Sequence, residues 1–283
     1  MKFAKVLILL VFIGTATIVA VTPALRSEVV DLLRLSRDSQ LLGRLEESHL
    51  LPPPLRSAID ARNSLLTHNG TFEWTNYQRK QNGLSYLQLN ASLNQAAEQK
   101  LSDMFTLQYF EHVSPSGKGP SDLAGDVGYA YVIVGENLAL GNFENDKALV
   151  EAWMNSPGHR ENILNSKYEE IGIAVGKAMF EGREVWLAVQ SFGTPLSSCP
   201  SVNEALKSEL DQNQDEITVM QGRLAVLKAE VENTNRSNTD KYNAKIKEYN
   251  ALVDQLNILI NTTKEIVQQY NSQVNSFNEC LKQ

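Results

Sequence analysis

Residues 170–192 read EIGIAVGKAMFEGREVWLAVQSF, and this stretch decides the fold class. Two strand-like runs, Glu170 to Ala178 and Glu184 to Phe192, flank Glu181-Gly182, a pair typical of a tight hairpin turn. In the second run both alternating sets of side chains are apolar, Val185, Leu187 and Val189 on one side and Trp186, Ala188 and Phe192 on the other. A strand that is apolar on both sides is covered on both faces. The sequence therefore predicts an α/β protein with helices on either side of a sheet.

Helical patterns precede this hairpin. A helix-like segment runs from Phe72 to Gln81, and another helix is predicted from Lys147 to Asn155. Asn90 is a suitable N-cap for the helix between them, whose apolar stripe is Leu93, Ala97, Leu101, Met104 and Phe105.

Four short strings carry the chemistry-bearing residues of this region. They are YFEHVSPSGKGP (109–120), GENLALG (135–141), WMNSPGHRENIL (153–164) and EIGIAV (170–175). In this order and spacing they resemble the CAP superfamily, the cysteine-rich secretory, antigen and pathogenesis-related proteins, in a bacterial form. The resemblance covers about Phe72 to Pro195 and implies an α-β-α sandwich.

The resemblance also implies a cleft. In many CAP domains two histidines and two acidic residues face a shared cleft that can hold a divalent metal. His112 matches the first histidine, Glu136 the first acid and His159 the second histidine. The second acid of relatives ends a Trp-x-x-Glu string, whereas Trp153-Met154-Asn155-Ser156 has serine there. We therefore expect three cleft residues, with His112 and His159 as the ligands of a divalent metal such as zinc.

The function that these residues predict is binding. Two imidazoles and a carboxylate can hold zinc and activate water, but without a second carboxylate no general base is left once the metal has its ligands. We therefore expect a ligand-binding or interaction module for a small molecule, a peptide or cell-wall material. The alternatives are a metal-dependent hydrolase of peptides or cell-wall material, a structural envelope protein that associates through its tail, and a polar cluster that only holds loops together.

The N-terminal segment predicts a membrane location. Val6 to Leu25 is twenty residues without a charge, long enough to cross a bilayer core. Lys2 and Lys5 precede it and are expected to stay in the cytoplasm, which places the rest of the chain outside, anchored or secreted. Residues 1–25 are thus a signal anchor or signal peptide, and residues 26–67 are predicted to form a helical stalk and a linker rich in proline.

The tail from residue 199 has a heptad pattern. Ile246, Val253, Ile260, Val267 and Val274 recur every seven residues, with a second series offset by three. A comparable seam runs upstream through Leu210, Ile217 and Leu224, and the polar segment 235–240 separates the two. Residues 199–283 are therefore predicted to form an antiparallel helical hairpin with coiled-coil packing, after a CAP domain spanning residues 68–198.

The two cysteines of the chain bracket this tail. Cys199 and Cys280 have their midpoint at (199 + 280)/2 = 239.5, inside the polar turn, so an antiparallel hairpin brings them together at its base. We predict a disulfide between them, which fits an oxidising compartment outside the cytoplasm.

Charge argues against nucleic acid as a partner. The net charge is -7, and residues 72–200 hold 9 Lys and Arg against 15 Asp and Glu. The tail, residues 201–283, holds 9 against 12. Neither region offers the basic surface that a phosphate backbone requires.

Overall fold

The computed structural model describes residues 51–61 and 63–282. The predicted membrane segment Val6 to Leu25 and the predicted stalk up to residue 50 lie outside these residues. Within the described part, no helix has both the length and the hydrophobicity that crossing a membrane requires. The described chain divides into a first compact unit ending at Pro200, with which residues 279–282 are grouped, and a second unit of residues 201–278.

A five-stranded mixed sheet forms the centre of the first unit. Its strands are β1 (Leu55–Asp60), β2 (Gln88–Leu89), β3 (Tyr131–Asn142), β4 (Glu170–Phe180) and β5 (Arg183–Pro195). Their order across the sheet is β1-β3-β5-β4-β2. The three long central strands pair antiparallel, and the two short edge strands pair parallel to their neighbours.

Five helices surround this sheet in the described residues. They are α1 (His68–Gln81), α2 (Ala91–Leu107), α3 (Pro120–Asp126), α4 (Asp146–Met154) and α5 (Pro157–Ile163). The Asn90 side chain accepts hydrogen bonds from the backbone of Ser92 and Leu93, which confirms it as the N-cap of α2. The two short helices α3 and α5 each begin with a proline, whose fixed φ suits the first helical position.

Apolar side chains cover both faces of the sheet, as β5 predicts. Ala188 and Phe192 pack in one core with residues of α4 and α5 that include Leu149, Trp153 and Ile163. Leu187 and Val189 point the other way and pack with Ala97 and Met104 of α2. The alternation of side chains along a strand thus places one helix layer on each face.

The β4–β5 hairpin turns at the predicted residues. Glu181 and Gly182 both have positive φ, 49° and 77°. This combination is typical of the two-residue turns whose twist matches that of paired strands. Both strands run further than predicted, β4 to Phe180 and β5 from Arg183 to Pro195.

The prediction that residues 26–67 lie outside the domain is wrong at its C-terminal end. Leu55 and Arg56 pair with Ala139 and Leu140 of β3, so β1 is an edge strand of the sheet. The sequence did not indicate this strand, because the proline run before it is typical of a linker. Its pairing partner, β3, is also distant in the sequence.

The second unit is a helical hairpin. Its helices α6 (Glu204–Glu232) and α7 (Thr239–Leu281) flank the predicted turn. They share apolar clusters in which Ile217 and Leu224 pack with Val253, Leu256 and Ile260. Buried positions therefore follow the predicted seams. That the two helices form a coiled coil stays a prediction.

The predicted disulfide is present. Cys199 is bonded to Cys280, and their Cα atoms are 5.7 Å apart. No cysteine of the described chain is free.

Candidate functional site

Three different elements bring the predicted cleft residues together. His112 lies in the loop after α2, Glu136 in the middle of β3, and His159 in the first turn of α5. Their exposed fractions are 7%, 1% and 1%. The site is therefore closed to solvent in this structure.

His112 has a partner on each ring nitrogen. Its Nδ1 lies 2.7 Å from Oε1 of Glu136, and its Nε2 lies 2.6 Å from the carbonyl oxygen of Pro52. A carbonyl only accepts hydrogen bonds, so Nε2 carries a proton and donates it. Nδ1 and the carboxyl group of Glu136 are hydrogen-bonded to each other. The His112–Glu136 pair consequently has neither a free imidazole lone pair nor an unpaired acid.

His159 differs from His112 in this respect. Its Nδ1 lies 2.8 Å from Oγ of Ser156. Its Nε2 is buried without a hydrogen-bond partner among the described residues. Burial, and secondly the nearby His112, lower the pKa of His159 to about 4 against a smaller opposing effect of the Leu138 backbone. The ring is therefore neutral at pH 7.

A network of buried polar side chains, which the sequence analysis missed, holds the backbone of the site in place. Asn162 donates to the carbonyl oxygen of Glu136 and to Oδ1 of Asn137, at 3.1 and 2.9 Å. Asn137 donates in turn to the carbonyl of His159 and to Gln190. Gln190 continues the chain to Thr75 of α1 at 2.7 Å. The network joins β3, β5, α1 and α5, so it fixes the backbone that carries Glu136 and His159.

Lys100 holds the loop of His112. Its Nζ donates to the carbonyl oxygen of His112 at 2.7 Å and to the hydroxyl of Tyr109 at 3.2 Å. Lys100 is only 1% exposed, and burial lowers its pKa, while Glu136, Asp103 and Glu111 raise it. The sequence does indicate that Lys100 is buried, because it lies on the same face of α2 as Leu93 and Ala97. A buried cation needs hydrogen-bond partners.

A cavity of about 590 Å³ lies beside the site. Ser156, the partner of His159, contributes to one wall, and Leu55, Arg56 and Ser57 of β1 contribute to another. Its size is within the range of small-ligand pockets. The position of β1 therefore shapes this cavity.

Comparison with known proteins identifies this unit. Residues 72–190 match the family model "CAP: Cysteine-rich secretory protein family". The chain carries a CAP domain. The contact between His112 and Pro52 lies across the limit of the matched range, because Pro52 precedes it.

Two similar proteins come from the bacterium Bacillus subtilis. The chain is 42% identical over 101 residues to "Uncharacterized protein YkwD" of Bacillus subtilis, a match that covers 36% of this chain and 39% of that protein. It is 33% identical over 106 residues to "Uncharacterized membrane protein YlbC" of the same organism, covering 38% of this chain and 30% of that protein. The chain thus spans well under half of the length of either relative.

Among solved structures, one similar chain is an extracellular protein containing an SCP domain from Bacillus anthracis. The identity is 25% and the TM-score is 0.39, and the match covers 45% of this chain and 40% of that chain.

With Pro52 in place, the two histidines of this CAP domain do not present two free nitrogens to a metal ion. No group of three or more His, Cys, Asp or Glu residues in the described chain is placed to hold one. Nε2 of His112 donates its proton to Pro52 and so has no lone pair for a ligand bond, whereas Nε2 of His159 is neutral and unpartnered. Metal binding by His112 and His159 stays a prediction, and it requires Pro52 to move.

Proposed function

We propose that the CAP domain is a binding or interaction module of the cell envelope, with the cleft of His112, Glu136 and His159 as its ligand site. The observation that carries the proposal is the unpartnered Nε2 of His159, which is buried in a site whose other polar groups are paired. A buried polar atom without a partner is costly in free energy. A ligand that hydrogen-bonds to this nitrogen removes that cost.

Binding is favoured over hydrolysis because the acid and base groups are already used. The imidazole of His112 and the carboxyl group of Glu136 bond to each other, and the partner of His159 Nδ1 is the hydroxyl of Ser156, which is not a general base. General base catalysis needs a group whose pKa lies near the working pH. With a pKa of about 4, His159 is too weak a base for that role.

The disulfide supports a location outside the cytoplasm, since such bonds persist in oxidising compartments. The match to a relative that is named a membrane protein agrees with an envelope location. The ligand class that we propose is a small molecule, a peptide or cell-wall material.

The test separates binding from turnover. The full chain is incubated with peptidoglycan fragments and with extended peptides, with and without zinc. Binding is followed by NMR signals of the His112 and His159 rings, and turnover by mass spectrometry. We expect ring signals to shift without cleavage. Cleavage that His159→Ala abolishes would show a hydrolase instead, and unchanged ring signals with every probe would show that the cleft is a structural cluster.

A further inference from the structure

The chain already has a segment of its own in the cleft. Pro52 is buried, and its carbonyl oxygen accepts a hydrogen bond from Nε2 of His112 at 2.6 Å. Its ring packs against α5 at Gly158, where an added Cβ would lie 2.6 Å from Cβ of Pro52. Only glycine leaves room for the proline ring at this place.

The residues that follow Pro52 bind as an added strand. Leu55 and Arg56 pair in parallel with β3, and the register shifts before Asp60 pairs with Asn142. The backbone amide of Ala61 then donates to the carbonyl of Asn142 at 3.0 Å. Such strand addition uses main-chain hydrogen bonds for affinity and a few side-chain pockets for specificity.

The attachment of this segment is limited. β1 pairs on one side only, its ladder is irregular, and Arg56 is exposed, in an ion pair with Glu181 at 3.3 Å that solvent screens. Short edge elements with few buried contacts open locally at lower free energy than the core. Release of the segment would expose Nε2 of His112 and the edge of β3, and would remove the wall that Leu55, Arg56 and Ser57 give to the cavity.

We propose that this groove, built from His112, Gly158 and the edge of β3, is a binding site for extended peptides that contain proline. Residues 52–60 are its occupant within the chain, and a second peptide of the same kind exchanges with them. The inference rests on the proposed function and names its ligand class. The recognised features are a carbonyl for His112, a proline ring for Gly158, and an extended backbone for β3.

The test is fluorescence anisotropy of a labelled synthetic peptide, LPPPLRSAIDA, which copies residues 51–61. Pro52→Ser in the full chain weakens the internal occupant and leaves the groove intact. Pro53→Ser is the matched control, because Pro53 is exposed. We expect the peptide to bind Pro52→Ser at least tenfold more tightly than it binds the wild type or Pro53→Ser. Equal affinities for the two variants would overturn the proposal.

A second pair of variants tests the groove itself. Adding Gly158→Ala to Pro52→Ser puts a methyl group where the proline ring packs, and is expected to abolish peptide binding. Adding Gly125→Ala, where an added Cβ meets nothing within 4 Å, is expected to leave it unchanged. Binding that ignores Gly158→Ala would place the peptide elsewhere and refute the site.

The wild-type chain gives a test that needs no variant. In ¹⁵N-labelled protein with unlabelled peptide, only the amides of the chain are seen. Exchange requires the Leu55 and Arg56 amide signals to shift when peptide is added, and signals that stay unchanged at saturating peptide contradict it. If cell-wall fragments then still move the His159 ring signals, the proposed function stands and only the peptide class fails.

Discussion

The carbonyl oxygen of Pro52 accepts a hydrogen bond from Nε2 of His112, a residue 60 positions later in the chain. The two histidines of the cleft therefore differ in state. His112 is paired on both ring nitrogens, whereas Nε2 of His159 has no partner in the described chain. Nε2 of His112 is therefore accessible to a ligand only if Pro52 moves.

Zinc binding is predicted to depend on that segment. In the wild type, a metal on His112 must first displace Pro52, and a site that is competent for only a fraction of the time binds more weakly by that fraction. Pro52→Ser is expected to bind zinc at least about tenfold more tightly than Pro53→Ser, measured by calorimetry.

Histidine variants in the Pro52→Ser background complete this measurement. His112→Ala and His159→Ala should each weaken zinc binding, and their effects should not add, because the two residues would share one ion. Unchanged affinity in the double variant would show that the histidines are not the ligands.

The lowered pKa of His159 is expected to make the stability of the CAP domain depend on pH. Its folded-state pKa of about 4 lies below the unfolded value of 6.5. The unfolded state therefore binds more protons between these values, so the stabilising contribution is complete above about pH 6.5 and is lost as the pH falls toward about 4. At 1.36 kcal/mol per pKa unit, this pKa difference changes the free energy of unfolding by at most about 3 kcal/mol.

Tryptophan fluorescence measures this effect in the CAP domain alone. All three tryptophans, Trp74, Trp153 and Trp186, lie within residues 72–190, and the helical hairpin has none. Urea unfolding at several pH values should show a steeper loss of stability below pH 6.5 in the wild type than in His159→Gln. The same pH dependence in both proteins would remove His159 as the cause.

The sequence was sufficient for the parts of the fold that depend on local patterns. Asn90 as an N-cap and the Glu181-Gly182 turn both follow from local chemistry, and the two apolar faces of β5 follow from alternation. The disulfide followed from symmetry about the turn. β1 was missed, because its pairing partner lies some 80 residues away and proline masked the strand.

The candidate residues could be named from the sequence, but the hydrogen-bond partners that they have in the folded chain could not. The four strings named His112, Glu136 and His159, which the structure brings together. That Pro52 closes the cleft could not be read from the strings, because a carbonyl oxygen is common to every residue. The supporting amides Asn137, Asn162 and Gln190 lie on strands and helices far apart in the sequence, so only the folded chain reveals that they bond to one another.

Arg79 is predicted to be essential for the stability of the region that carries α5. Its guanidinium is 1% exposed and donates to the main-chain carbonyls of Ser85, Ile163, Asn165 and Tyr168, at distances from 2.8 to 3.3 Å. Arg79→Met leaves these acceptors without a donor, which should cost about 3–5 kcal/mol.

Arg160→Met is the matched control for this substitution. Arg160 is exposed, and its side chain donates a hydrogen bond to Oδ1 of Asn82 at 3.2 Å. Its replacement should change stability by less than about 0.5 kcal/mol. Urea unfolding followed by tryptophan fluorescence compares the two variants, and similar stabilities would contradict the role assigned to Arg79.

The disulfide is predicted to stabilise the helical hairpin more than the CAP domain. Cys199 and Cys280 are 81 residues apart, and the loop that their bond closes contains the whole hairpin. Closing a loop of this length stabilises by about 4–5 kcal/mol in the chain-entropy model, as an upper figure. Replacing both cysteines by serine should therefore lower the urea midpoint of the helical circular dichroism signal. The tryptophan transition of the CAP domain should move much less. Non-reducing gels of the wild type provide the check on pairing, because dimers held by a bond between two chains would show that the cysteines join copies of the protein instead of closing the hairpin.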